Sequence, residues 1–164
     1  MLLIVGCESK DDTSVGTPFE KLSSEYTGID FSNNITPNLE SSENLFDYDY
    51  FYNGSGVGIA DINNDGLKDI IFTANQTENK LYLNKGNLKF EDITKPSNIN
   101  LKNKKWSSGV TFADVNNDGW LDIYISQGGP FESDSRGNIL LINNQDLTFS
   151  EKAKEYGLND NGIS

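Results

Sequence analysis

An all-β fold built from β-propeller blades is what the sequence predicts, and three observations carry that reading. A fifteen-residue stretch recurs, each copy breaks into four short strands separated by turn residues, and no stretch holds the ~3.6-residue apolar period of a helix. The first copy runs Gly56-Val57-Gly58-Ile59-Ala60-Asp61-Ile62-Asn63-Asn64-Asp65-Gly66-Leu67-Lys68-Asp69-Ile70. The second runs Gly109-Val110-Thr111-Phe112-Ala113-Asp114-Val115-Asn116-Asn117-Asp118-Gly119-Trp120-Leu121-Asp122-Ile123.

Downstream, Asn79-Lys80-Leu81-Tyr82-Leu83-Asn84 matches Asn138-Ile139-Leu140-Leu141-Ile142-Asn143, and Leu88-Lys89-Phe90 matches Leu147-Thr148-Phe149. The later offset is six residues longer, which places an insertion in the polar stretch around Gln127 to Gly137. The strands predicted for the first copy are 56–60, 69–73, 79–83 and 88–92, and for the second 109–113, 122–126, 138–142 and 147–151. Val57/Ile59 and Val110/Phe112 alternate, whereas Ile70-Ile71-Phe72 is continuously apolar, as an inner strand covered on both faces requires. One helical turn is expected at Glu151 to Tyr156. Four strands per ~50-residue unit is the size of a propeller blade, and an eight-stranded sandwich is the competing architecture. A third echo pairs Phe19 and Glu25-Tyr26 with Phe149 and Glu155-Tyr156. The organisation read from this is 1–18 signal and linker, 19–55 N-terminal propeller segment, 56–108 first repeat, and 109–164 second repeat with the start of another unit.

Charge and composition narrow the chemistry. Thirteen basic against 25 acidic residues leave −12, the wrong sign for gripping a nucleic-acid backbone. With no histidine and Cys7 alone, imidazole catalysis, His-ligated zinc and internal disulfides are excluded. No apolar run approaches the ~20 residues that span a bilayer. Asparagine numbers 21 and glycine 15, so turns are many and the core is thin.

Between the first two strands of each copy lies D-x-N-x-D-G-x-x-D. Oxygens at alternate positions let a tight loop wrap a hard cation. Asp61, Asn63 and Asp65 supply positions 1, 3 and 5, Gly66 the sharp turn, the Leu67 carbonyl position 7, and Asp69 position 9. The second loop offers Asp114, Asn116, Asp118, the Trp120 carbonyl and Asp122. A plain turn accounts for Asn64-Asp65-Gly66 but not for the flanking carboxylates, which would repel without a cation. Two Ca²⁺ sites are expected; Mg²⁺ fits worse because it keeps waters in a rigid octahedron. Position 12 holds Phe72 or Ile125 and the following segments are strand-like, so these are not EF-hands.

These loops resemble those of FG-GAP/VCBS repeats, the calcium-binding blades of integrin-type β-propellers. The approach Phe46-Asp47-Tyr48-Asp49-Tyr50-Phe51-Tyr52-Asn53-Gly54-Ser55-Gly56, the stretch Asn84 to Thr94 and Trp106-Ser107-Ser108-Gly109-Val110 look like bacterial surface proteins carrying such repeats. The resemblance covers about residues 19–164. It implies a propeller and calcium, and members often continue to a C-terminal ASPIC/UnbV-type domain, which is not expected within these 164 residues.

At the N-terminus, Met1 to Gly6 is apolar and is followed by Cys7. Ile4-Val5-Gly6-Cys7 resembles the lipobox of bacterial lipoproteins, which implies lipidation of Cys7, and Glu8 to Asp12 resembles a short acidic surface-export signal. A basic n-region is missing, so the true start is expected upstream. The alternative is a buried N-terminal strand with an incidental cysteine. The sequence stops at Ser164, where the next unit's Trp-Ser-Ser-Gly equivalent is due, so further blades of a longer chain are expected partners.

Weaker motifs add little. Gly54-Ser55-Gly56-Val57-Gly58 lacks dinucleotide-loop spacing. Sequons at Asn34, Asn53 and Asn75 follow from so much asparagine. Trp106, Trp120 and Tyr124 read as blade packing in preference to a sugar platform. The expected function is non-catalytic adhesion or binding of a glycan or cell-surface protein, at the outer membrane and attached only through the lipid. A calcium-dependent polysaccharide lyase or hydrolase propeller is the alternative. Every strongly patterned carboxylate is taken by the loops, which favours binding.

Overall fold

Eight strands form two antiparallel sheets in strict chain order, β1 (Val57–Ala60), β2 (Asp69–Phe72), β3 (Lys80–Asn84) and β4 (Phe90–Asp92), then β5 (Ser107–Ala113), β6 (Asp122–Gln127), β7 (Ile139–Asn143) and β8 (Phe149–Glu151). The structure, a computed structural model, describes residues 19–100, 106–131 and 136–162. Cys7 and the export-like segment lie outside the described residues. Each expected strand is present within three residues of its predicted ends. Neither sheet exchanges strands with the other, as two propeller blades require and an interleaved sandwich does not. Among the described residues there are also two one-turn helices, α1 (Ser24–Thr27) and α2 (Thr94–Ser97).

Directly paired residues share a face. In the first sheet Gly58, Ile71 and Leu81 therefore face one way, and Ile59, Ile70 and Tyr82 the other. In the second, Phe112, Ile123 and Leu141 share a face, as do Val110, Ile125 and Ile139. The core forms where Ile71, Leu81 and Leu83 meet Ile123, Ile125, Ile139, Leu141 and Phe149. Gly58 permits this approach, since a Cβ there would lie 2.7 Å from a Phe112 ring carbon. Thr73, fully buried, bridges the inner strands by donating to the carbonyls of Gly56 and Ser108, each at 3.2 Å. Between Ser107 and Val110 the β5–β6 register slips, a bulge near the start of β5.

The segment after β4 is the wedge between the sheets. Ile93 and Ile99 enter the core from either side of α2, and Asn98 Nδ2 reaches the Phe149 carbonyl at 3.5 Å. In the corresponding segment after β8, where one helical turn is expected, the Tyr156 amide donates to the Lys152 carbonyl at 3.1 Å and the Leu158 amide closes the turn on the Ala153 carbonyl at 2.8 Å, without a helix like α2 forming. Pro96 accounts for some of the difference, because its fixed φ suits a helix's first turn and Glu155 occupies that position here.

Residues 19–36 lie along the outward face of the first sheet. Phe31 stacks on Phe72 (4.8 Å, 11°), the Tyr82 hydroxyl donates to Asp30 at 2.9 Å, and Gly28 sits so close to Phe90 that a Cβ would strike its carbonyl. Gly28 stands over Phe90 as Asn98 stands over Phe149, each in a left-handed conformation after one helical turn. The N-terminal segment thus takes, on the first sheet, the place that the wedge takes on the second. This is the structural content of the third sequence echo.

Candidate metal centre

Loop 1 (61–69) joins β1 to β2 and loop 2 (114–122) joins β5 to β6. Asn64 and Asn117, with φ of 58° and 59°, and Gly66 and Gly119, with 87° and 86°, fold both loops the same way. Asparagine and glycine are the residues that reach this region at least cost.

The side chains then close each loop on itself. In loop 1 the amides of Asp65 and Gly66 donate to the Asp61 carboxylate (3.2 and 2.8 Å). The Asp65 amide is also 3.3 Å from Asn63 Oδ1, the Leu67 amide donates to Asp65 Oδ1 (2.8 Å), and Asn63 Nδ2 to Asp65 Oδ2 (2.9 Å). Asp69 points inward and is buried, accepting the Ile62 amide at 3.0 Å and the Asn84 amide at 2.8 Å. Loop 2 repeats the set bond for bond. Asp114 accepts from Asp118 and Gly119 (3.0 and 2.8 Å), Asn116 Oδ1 from Asp118 (3.1 Å), and Asp118 from Trp120 and Asn116 (2.9 Å each). Asp122 accepts the amides of Val115 and Asn143 (3.0 and 2.8 Å).

These bonds set the electrostatics. The Leu67 amide, with Asn63, holds Asp65 below the usual carboxylate range, and the Trp120 amide, with Asn116 and Gln145, does the same for Asp118. Burial pushes Asp69 up against the pull of its two amides, and the charges of Asp65 and Asp61 add to the rise. Asp69 therefore feels the other two carboxylates of its loop.

The donor chemistry fits a hard divalent cation: three carboxylates, one amide oxygen and one backbone carbonyl per loop, with no nitrogen or sulfur ligand among them. As the loops stand, no three acidic side chains among the described residues close on one point. Each carboxylate offers about four lone-pair sites, so oxygens that already accept an amide keep capacity for a metal. All ten predicted positions sit in these two loops. Sequence reasoning missed Asn84 and Asn143, whose amides anchor the position-9 aspartates; their matched place in the repeat was visible, but not their role.

The aromatic residues do not assemble into a platform. Trp106 is 3% exposed and packed by Tyr48, Phe51 and Phe131, far along β5 from loop 2, which contains Trp120. Tyr124 hydrogen-bonds to the Leu158 carbonyl at 3.2 Å and to Asn138 at 2.9 Å. Trp106 is packing, as weighed from the sequence. A groove beside β3, lined by Asp30, Phe31, Ser32, Thr77, Glu78 and Lys80, holds two carboxylates, one of them engaged by Tyr82.

Residues 61–125 match the family profile of the FG-GAP-like repeat. The span opens on Asp61 and closes inside β6, so the similarity takes in both loops and the wedge between the sheets. No curated protein and no solved structure gives a significant match to the chain.

Proposed function

We propose that this chain is a calcium-binding propeller segment of an exported bacterial surface lipoprotein that binds a glycan or a cell-surface protein without transforming it. The observation that carries the calcium part is the duplication of seven loop hydrogen bonds in the same order at both sites. A turn needs the asparagine and glycine; the carboxylates at positions 1, 5 and 9 accept its backbone amides as well, and their accumulated negative charge in both copies is what a cation would neutralise. The lipid anchor rests on the Ile4-Val5-Gly6-Cys7 sequence. Further blades are supported by the outward face of the first sheet, where Val57 and Ile59 are 57% and 63% exposed while their counterparts Val110 and Phe112 pack against the core.

Thermal melts with calcium and with chelator test the metal. For a dissociation constant of ~0.1 mM, ~1 mM calcium stabilises each site by about 1.4 kcal/mol. Identical melting temperatures would remove the calcium reading, and Asp65→Ala or Asp118→Ala each abolishes part of the shift. Fatty-acid labelling of the protein produced behind a bacterial lipoprotein export signal tests the anchor; label that survives Cys7→Ser refutes it. A glycan array run beside a polysaccharide-degradation assay separates binding from catalysis.

A further inference from the structure

Two asparagines tie the loops to each other. Asn64 stands between the donors Asn63 and Asp65, and its Nδ2 donates to the Gly119 carbonyl of loop 2 at 3.2 Å. Asn143, at the end of β7 and 3% exposed, donates through Nδ2 to Leu121 at the exit of loop 2 (3.2 Å) and to Ile62 at the entrance of loop 1 (2.8 Å). Its Oδ1 accepts the Gln145 amide at 2.9 Å, and the Gln145 side chain donates to Asp118 Oδ2 at 3.2 Å. A continuous hydrogen-bonded path therefore runs from a donor of loop 2, through Gln145 and Asn143, to the residue between positions 1 and 3 of loop 1. The matching Asn84 donates to Lys68 at the exit of its own loop, at 2.8 Å.

We infer that the two loops take up cations as a coupled pair, each filled loop tightening the other, with Asn64 and Asn143 as the positioning residues. The inference rests on the calcium reading above. A cation in loop 2 immobilises Asp118 and Gly119, which fixes the acceptor of Asn64 and, through Gln145, the donor that holds Ile62. Residues 62–65 then have less freedom to lose when their own cation arrives. Coupling of this kind is reciprocal, so either loop reports it. Repulsion between the ions opposes it weakly, because three carboxylates leave each filled loop net negative and exposed charges are screened beyond about 8 Å at physiological salt.

Position 7 supplies the readout. Trp120 occupies it in loop 2 and Leu67 in loop 1, while Trp106 lies at the opposite end of β5. Terbium luminescence excited through tryptophan is therefore strongest for loop 2, and in Asp65→Ala it reports loop 2 alone. The full chain is titrated with Tb³⁺ as wild type, as Asp65→Ala to disable loop 1, and as Asn64→Gly, which leaves the charge unchanged and suits the left-handed φ. Asn143→Ala is the second variant, with circular dichroism confirming its fold. The expected result is a loop 2 half-saturation raised roughly five-fold in Asp65→Ala and raised clearly in Asn64→Gly and Asn143→Ala. Unchanged titrations in all three variants would mean independent sites, overturning the coupling and leaving the metal reading intact. A shift in Asp65→Ala alone would overturn the assignment to the two asparagines. Absence of sensitised luminescence in the wild type would overturn the cation reading, and the coupling with it.

Discussion

The first sheet and the second share loops, strand order and pairing register, and they differ in what lies on equivalent faces. Ile123, Ile139 and Leu141 of the second sheet are fully or almost fully buried against the first. The first sheet presents Ile70, Lys80 and Tyr82 at those positions and meets a single strap of chain, residues 19–36. Loop surroundings follow suit. Ile62 is 2% exposed beneath the second sheet, whereas its counterpart Val115 is 37% exposed. A local code of asparagine, aspartate and glycine builds the same loop in both places, and the neighbour decides how dry it is.

The largest test of that difference is a pair of truncations. Ile123→Ala empties a volume enclosed by both sheets and is expected to cost about 2–5 kcal/mol. Ile59→Ala, on the open face, is expected to cost no more than about 0.5 kcal/mol. Urea unfolding of the two variants measures both. Equal losses would show that the outward face is packed in solution by something that finds Ile59.

The position-9 aspartates should behave alike despite the different neighbours. Asp69→Ala and Asp122→Ala each orphan two backbone amides, one at the loop entrance and one at the end of the third strand of the sheet. A loss of about 2–4 kcal/mol is expected for each, measured in chelator so that no cation contributes. If Asp69→Ala costs far less than Asp122→Ala, the two loops are not built on the same internal frame.

How much of this was legible depends on the range of the interaction. Strands, turns and the ten loop positions follow from spacings of two to nine residues, and such patterns are written in contiguous sequence. Asn143 reaching Ile62 depends on where the second sheet docks, 81 residues away in the chain, and no periodicity encodes it. The role of residues 19–36 was half legible: the echo of Phe19 and Tyr26 with Phe149 and Tyr156 marked a repeat fragment, but only packing shows it lying where a wedge would lie. One helical turn is expected at Glu151 to Tyr156 from the sequence. The segment closes one turn through the Tyr156–Lys152 bond without becoming a helix like α2, since the proline that suits a helix's first turn is in one copy alone.

A smaller effect separates the inner strands. Gly58 faces Phe112, and Gly58→Ala would bring a methyl group within 2.7 Å of that ring and 3.1 Å of Val110. Overpacking of this kind costs about 1–3 kcal/mol. Thr111 holds the matching place on β5 and is exposed, so Thr111→Ala is expected to stay within about 0.5 kcal/mol. A comparable loss at both positions would mean that Thr111 is covered in solution, and that the second sheet has a neighbour on its far side.

The smallest expected effect concerns Tyr82, whose counterpart is Leu141. Burial, together with the hydrogen bond to Asp30, raises the phenol to about 12. An acid whose folded value lies above its unfolded value of about 10 holds its proton longer in the folded state. Its contribution is therefore complete below about pH 10 and is lost as pH climbs toward 12. Tyr82→Phe removes the hydrogen bond to Asp30 while keeping the ring against Phe72, so a loss of about 1 kcal/mol is expected at neutral pH. The variant should also lose less stability than the wild type between pH 10 and 12, and tyrosinate absorbance should show one late-titrating group in the wild type that the variant lacks. If the variant matches the wild type in both stability and late titration, the strap does not hold Tyr82 in solution, and the outward face of the first sheet is more open than Asp30 and Phe31 make it.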